Sequence, residues 1–235
     1  MYDDPEDVES LRLLQTKGGM KVRGASKGPL FEYPAIVRWD GPSLDSDIVV
    51  VDFETTGLSA RHDRIIEIAM ARLNPEGELV AEFATVVDPG HQSLGAAHIH
   101  GITSADLVGA PAFEDVYDTL CDFLDGAVVV AHNATFEEWF LGHECLRARL
   151  PLPRNHAIDS LWLSHLLTNR PGHSVADMAV HTGFEQYKPH HAIGDVYATL
   201  DIIQPILRRR PHFVWRTRMP HESRVPTVTC ELRPR

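Results

Sequence analysis

The stretch Val49-Val50-Val51-Asp52-Phe53-Glu54-Thr55-Thr56-Gly57-Leu58 constrains this chain more than any other. Its apolar, β-branched beginning reads as a buried strand. Side chains two apart on a strand share a face, so Asp52 and Glu54 project together while Phe53 faces the other way. Adjacent anions repel, and their usual remedy is a bound divalent cation. A solvent-exposed acidic strand end is the plainer alternative, and the rest of the chain weighs against it. Gly57 then turns the chain away, with the freedom of backbone angle that glycine has.

Residues 64–73 and 78–87 read as two more strands. The Asn74-Pro75-Glu76-Gly77 turn joins them, so the three strands should form an antiparallel meander. Residues 97–103 should be a loop or short helix. Phe113, Val116, Tyr117, Leu120, Phe123 and Leu124 recur at helical spacing between Pro111 and Gly126. Residues 127–131 form a second buried strand. It runs into His132-Asn133-Ala134-Thr135-Phe136-Glu137 and a helix over about 135–150. Residues 156–159 are a weak last strand. Ser174 and Gly183 bracket a further helix. Val196, Leu200, Ile203 and Leu207 mark the last helix, stopped by Arg208-Arg209-Arg210 and Pro211. Residues 1–46 carry no clear chemistry. A short helix over 8–14, loops around Lys17 and Gly24 to Gly28, and a short strand over 36–39 are expected there.

Charge is uneven. The chain carries a net −11, which argues against a general nucleic-acid coat protein. Residues 48–205 hold about 22 acidic and about 8 basic residues, and residues 206–235 about 8 arginines and 2 glutamates. The acidic core fits a metal site. The basic tail either binds phosphates or is a solvated end. Cys121, Cys145 and Cys230 are odd in number and scattered, which suggests reduced thiols and a cytoplasmic setting. No apolar run approaches the ~20 residues that span a bilayer, so no membrane partner is expected.

Three acidic segments stand out: Asp52 with Glu54, Glu137 at a helix start, and Asp195 on the last helix. Pooled carboxylates can hold two divalent ions, one lowering the pKa of an attacking water and the other stabilising the leaving oxygen of a phosphodiester. Mg²⁺ or Mn²⁺ suits such an oxygen-only site. A general base is also needed. His190 lies five residues before Asp195, about 500° of helix rotation, so it should sit at the helix entry or in the preceding loop and reach over from the side. Any one of the 14 histidines could equally be a packing or surface residue.

Taken together, the three segments resemble the DEDDh 3′–5′ exonucleases, the family of the proofreading epsilon subunit of bacterial DNA polymerase III. The first family motif is Val51 to Leu58. The second is His132 to Glu137. The third is His190-His191-Ala192-Ile193-Gly194-Asp195. His100-Gly101-Ile102-Thr103 matches a stretch the family carries between the first two. The resemblance covers about residues 47–207, leaving an N-terminal extension (1–46) and a basic tail (208–235). It implies a ribonuclease H-like α/β fold with a mixed five-stranded sheet and helices on both faces. It also implies two divalent cations on Asp52, Glu54, Glu137 and Asp195, with His190 as general base. Substrate contacts would come from Thr55, Thr56, Gly57, Leu58, His100, Asn133 and Phe136. Asp159 is read as support, not as a ligand. The family usually has aspartate where this chain has Glu137, which keeps the charge and adds a methylene. The implied partners are single-stranded DNA or RNA 3′ ends and a polymerase or repair complex. An exoribonuclease of the same family, or a non-catalytic nucleic-acid-binding adaptor, stands as the alternative.

Overall fold

The computed structural model describes residues 26–27, 30–38, 44–90, 93–95, 97–167, 171–184, 190–208 and 212–215. The sheet grows from the acidic strand, β4 (Ile48–Thr55). β5 (Ile65–Leu73) and β6 (Leu79–Val86) complete the antiparallel meander, with Asp52 opposite Ala69 and Glu54 opposite Glu67. On its other side β4 pairs in parallel with β7 (Val128–Ala131), and β7 with β8 (Asn155–Asp159).

These five strands match the expected sheet. Two short strands extend it, β1 (Ser26–Lys27) and β2 (Phe31–Tyr33), giving seven in the order β1-β2-β8-β7-β4-β5-β6. The loop expected over residues 24–28 therefore contains an edge strand. Local sequence could not reveal it, because its partner among the described residues is β2, itself paired to β8 more than 100 residues away. β3 (Ala35–Arg38) forms a separate antiparallel ribbon with β9 (His212–Val214). The expected helix over 8–14 and the tail beyond residue 215 lie outside the described residues.

Helices cover both faces. Val49, Val51 and Phe53 pack against α2 (Phe113–Leu124) and α3 (Thr135–Ala148), which follow the short α1 (Ala97–His100). Ile48 and Val50 face α4 (Ser160–Leu167), α5 (Val175–Thr182) and α6 (Ala192–Arg208). Strand alternation continues this pattern, so Asp52 and Glu54 point to the face that α6 covers. Ser174 and Gly183 cap α5 as expected, Ser174 accepting from the Asp177 N–H and Gly183 adopting a left-handed φ of 80°.

Candidate active site

Asp52, Glu54 and Asp195 meet where β4 leaves the sheet and α6 begins. One carboxylate oxygen from each lies within 4.8 Å of the others. Burial away from water raises the pKa of Asp52 well above the carboxylate range, and Asp195, Glu137, Glu54 and Glu67 add repulsion. Glu137, in the first turn of α3, is 4% exposed. Burial raises its pKa too, with Asp159 and Asp195 contributing. Its Oε2 is buried without a hydrogen-bond partner. A buried carboxyl in this state either keeps a proton or meets a counter-charge such as a bound cation. The donor set is entirely carboxylate oxygen, which fits Mg²⁺ or Mn²⁺ and not a soft metal. Glu137 is not one of the three acids whose oxygens lie within 4.8 Å of one another, but its charge acts on Asp52.

His190 occupies the turn before α6 with φ of 61°, exposed, and its backbone N–H donates to Asp195 Oδ2 at 3.2 Å. It therefore sits beside the acid cluster, off the helix itself. Asp159 accepts from the N–H groups of Asn133 (3.1 Å) and Leu161 (3.0 Å), tying the His132–Ala134 turn to the start of α4. That is the supporting role read from sequence.

The expected substrate contacts divide. Leu58 is 89% exposed and stands clear of the turn, whereas Phe136 is half-buried against Phe140, ring centroids 4.6 Å apart. The hydroxyls of both threonines are engaged inside the turn. Thr55 donates to the Gly57 carbonyl (2.7 Å), and Thr56 accepts from the Arg64 N–H (3.0 Å). Gly57 answers a demand for space, not for backbone angle. A Cβ there would lie 2.5 Å from the Asp63 carboxylate, which the Ser59 N–H holds in place. His100 is 2% exposed. Its Nδ1 accepts from the Ile102 N–H (3.1 Å), so its Nε2 carries the proton and donates to the Leu94 carbonyl (3.0 Å). The ring thus builds the wall of the site and offers no free donor to a ligand. It holds Gly95 where a Cβ would collide with the Thr56 carbonyl. Asn133 is exposed with φ of 73°, and its side chain accepts from the Thr135 hydroxyl.

Sequence reasoning missed Glu67. It is 6% exposed, lies across from Glu54, and accepts from the Ala192 N–H at 3.1 Å. It therefore anchors the first residue of the helix that carries Asp195. The signal in the sequence was one acid in the otherwise apolar run Ile65-Ile66-Glu67-Ile68-Ala69-Met70.

Comparison with known proteins agrees with this geometry. The family profile described as exonuclease, of RNase T type, matches residues 49–203. The PolC-type DNA polymerase III of Halalkalibacterium halodurans is 37% identical over 161 residues, which is 67% of this chain and 11% of that protein. The chain thus spans about a tenth of the length of that relative. Among solved structures, Exonuclease X in complex with 5′ overhanging duplex DNA shares 25% identity at a TM-score of 0.56, over 69% of this chain and 92% of that one. The nuclease domain of 3′hExo, a DEDDh family member bound to rAMP, superposes with a TM-score of 0.63 at 21% identity, over 75% of this chain and 99% of that one. With its acids gathered at one strand end and the match running through all three motifs, this chain belongs to the RNase T family of exonucleases.

Proposed function

We propose that the protein is a metal-dependent 3′–5′ exonuclease that removes nucleotides from single-stranded DNA ends and releases 5′-monophosphates. The observation that carries this reading is the convergence of Asp52, Glu54 and Asp195 within 4.8 Å beside the buried, unpartnered Glu137 oxygen. Asp52, Glu54 and Asp195 would hold one divalent ion, and Glu137 together with Asp52 would reach toward a second. Mg²⁺ or Mn²⁺ held there would supply a lowered pKa for an attacking water and charge stabilisation for the leaving oxygen. A ring nitrogen of His190 takes the proton from that water, and the exposed position of His190 lets it hand the proton on to solvent. Leu58 offers an apolar face to an unpaired base, and the backbone of Thr55 and Thr56 lines the terminal nucleotide.

DNA is favoured because the curated relatives are PolC-type DNA polymerases and Exonuclease X is complexed with DNA. The same relatives support a polymerase-associated role and a cytoplasmic setting. No helix among the described residues is long and apolar enough to cross a membrane. RNA is the second reading, supported by the 3′hExo nuclease domain bound to rAMP.

The test uses 5′-labelled single-stranded DNA and matched RNA with Mg²⁺, Mn²⁺ or EDTA, beside Asp52→Ala. A metal-dependent ladder that shortens from the 3′ end and is absent in the variant is expected, faster on DNA. Binding without cleavage would instead identify an adaptor.

A further inference from the structure

Glu138 follows Glu137 in α3, but one residue turns a helix by about 100°, so the two carboxylates point to different surroundings. Glu138 is 0% exposed. Its Oε1 accepts the backbone N–H groups of Leu30 (2.8 Å) and Phe31 (2.7 Å), and its Oε2 accepts the Tyr33 hydroxyl (3.2 Å). All three donors belong to the N-terminal extension, outside the matched residues 49–203. A buried carboxylate needs such donors to keep its charge. The Tyr33 pKa is raised well above its usual value by burial and by the Glu138 charge.

The same segment is fixed on its other side by the sheet. β2 runs parallel to β8, with Phe31 opposite Asn155, and the Asn155 N–H donates to the Leu30 carbonyl at 3.1 Å. Residues 30–33 therefore bridge the sheet and the first turn of α3. Glu137 differs: its carboxylate accepts a hydrogen bond from its own backbone N–H, and its Oε2 is buried with no hydrogen-bond partner among the described residues. Its placement depends on the backbone of that turn.

We propose that Glu138 is a positioning residue: by gripping Leu30, Phe31 and Tyr33 it locks the first turn of α3 and holds the Glu137 carboxylate toward Asp52 and Asp195. Residues 30–33 are then a working part of the metal site, and the functional domain begins within the extension. This role rests on the nuclease reading above.

The experiment compares the full-length wild type with Glu138→Ala, Glu138→Gln and Tyr33→Phe. Mn²⁺ affinity is measured by calorimetry without nucleic acid, alongside melting temperature, kcat and KM. Glu138→Ala is expected to lose about 10- to 100-fold in Mn²⁺ affinity, the range seen when groups that orient metal ligands are removed. Its kcat should fall in parallel, with KM for the oligonucleotide nearly unchanged. Glu138→Gln should recover part of the loss, because its carbonyl oxygen still accepts from Leu30 and Phe31. Reduced melting temperature with wild-type Mn²⁺ affinity and kcat in the folded protein would overturn the proposal. Should Glu138→Ala fail to fold, Tyr33→Phe decides. It removes one donor of three, and about a threefold loss of Mn²⁺ affinity is expected, whereas unchanged affinity overturns the clamp. If the wild type binds Mn²⁺ but cleaves nothing, the nuclease reading fails while the Mn²⁺ titration still decides the clamp. A wild type that binds no Mn²⁺ overturns both.

Discussion

Asp52 and Glu137 hold their protons more tightly in the folded chain than in the unfolded one, because burial and neighbouring carboxylates oppose their charge. For such acids the stabilising contribution is complete below the ordinary carboxylate range, near pH 4, and is lost as pH rises through their raised values. Metal-free protein should therefore weaken on going from mildly acidic to neutral pH, and a divalent cation should reverse the loss. Asp52→Asn removes one charge from the cluster while keeping its shape. At pH 7.5 in EDTA it should melt above the wild type, by roughly 2–4 °C for each kcal/mol of repulsion relieved. It should also gain less from added Mn²⁺. Scanning calorimetry with EDTA and with Mn²⁺ checks this; a lower melting temperature for the variant in EDTA would show that the acids do not strain the fold. His132 has the opposite sign. Burial lowers its pKa to about 4, so its contribution is lost as pH falls from about 6.5 toward that value.

At the scale of elements, the site depends on how strands and helices are tied end to end. Arg72, fully buried on β5, illustrates this away from the chemistry. Its guanidinium pairs with Asp47 at 2.7 Å and donates to the carbonyls of Asp122, Phe123 and Asp125 at the end of α2. It thus joins the start of β4, the end of β5 and the end of α2, where a cation is also favoured by the helix dipole. Arg72→Met would leave Asp47 buried without its partner. A loss of about 3–5 kcal/mol is expected from urea unfolding, with the folded fraction retaining its cleavage rate. The turn after β4 is tied in a similar way. Arg64 and Arg147 meet Glu144 of α3 at 2.8 and 3.1 Å, and Arg147 also donates to the Asp63 carbonyl at 3.0 Å. Leu58 is thereby displayed on a braced turn.

For the molecule as a whole, segments on either side of the matched residues 49–203 take part in the fold. β3 and β9 pair, and the Trp215 ring stacks on His156 of β8 with centroids 4.6 Å apart and planes 1° apart. A deletion starting at residue 211 would therefore remove structure as well as charge, so the basic tail is better tested by deleting 216–235. If the tail meets phosphates, that deletion should weaken oligonucleotide binding. It should also flatten the salt dependence by about 0.7 in log–log slope for each phosphate that the tail neutralises. An unchanged slope would rule out a phosphate-binding role for the tail. By itself, the sequence determined the meander, the helix spacing, the pairing of Asp52 with Glu54 on one face, and the turn position of His190. Each follows from local periodicity or from residue type. Only the tertiary structure decided that Glu67 anchors α6, that His100 turns both ring nitrogens inward, that Gly57 makes room for Asp63, and that Glu138 grips a strand more than 100 residues earlier. Those roles depend on which groups meet across distant parts of the chain, and a buried carboxylate or imidazole acquires its role from the donors that surround it.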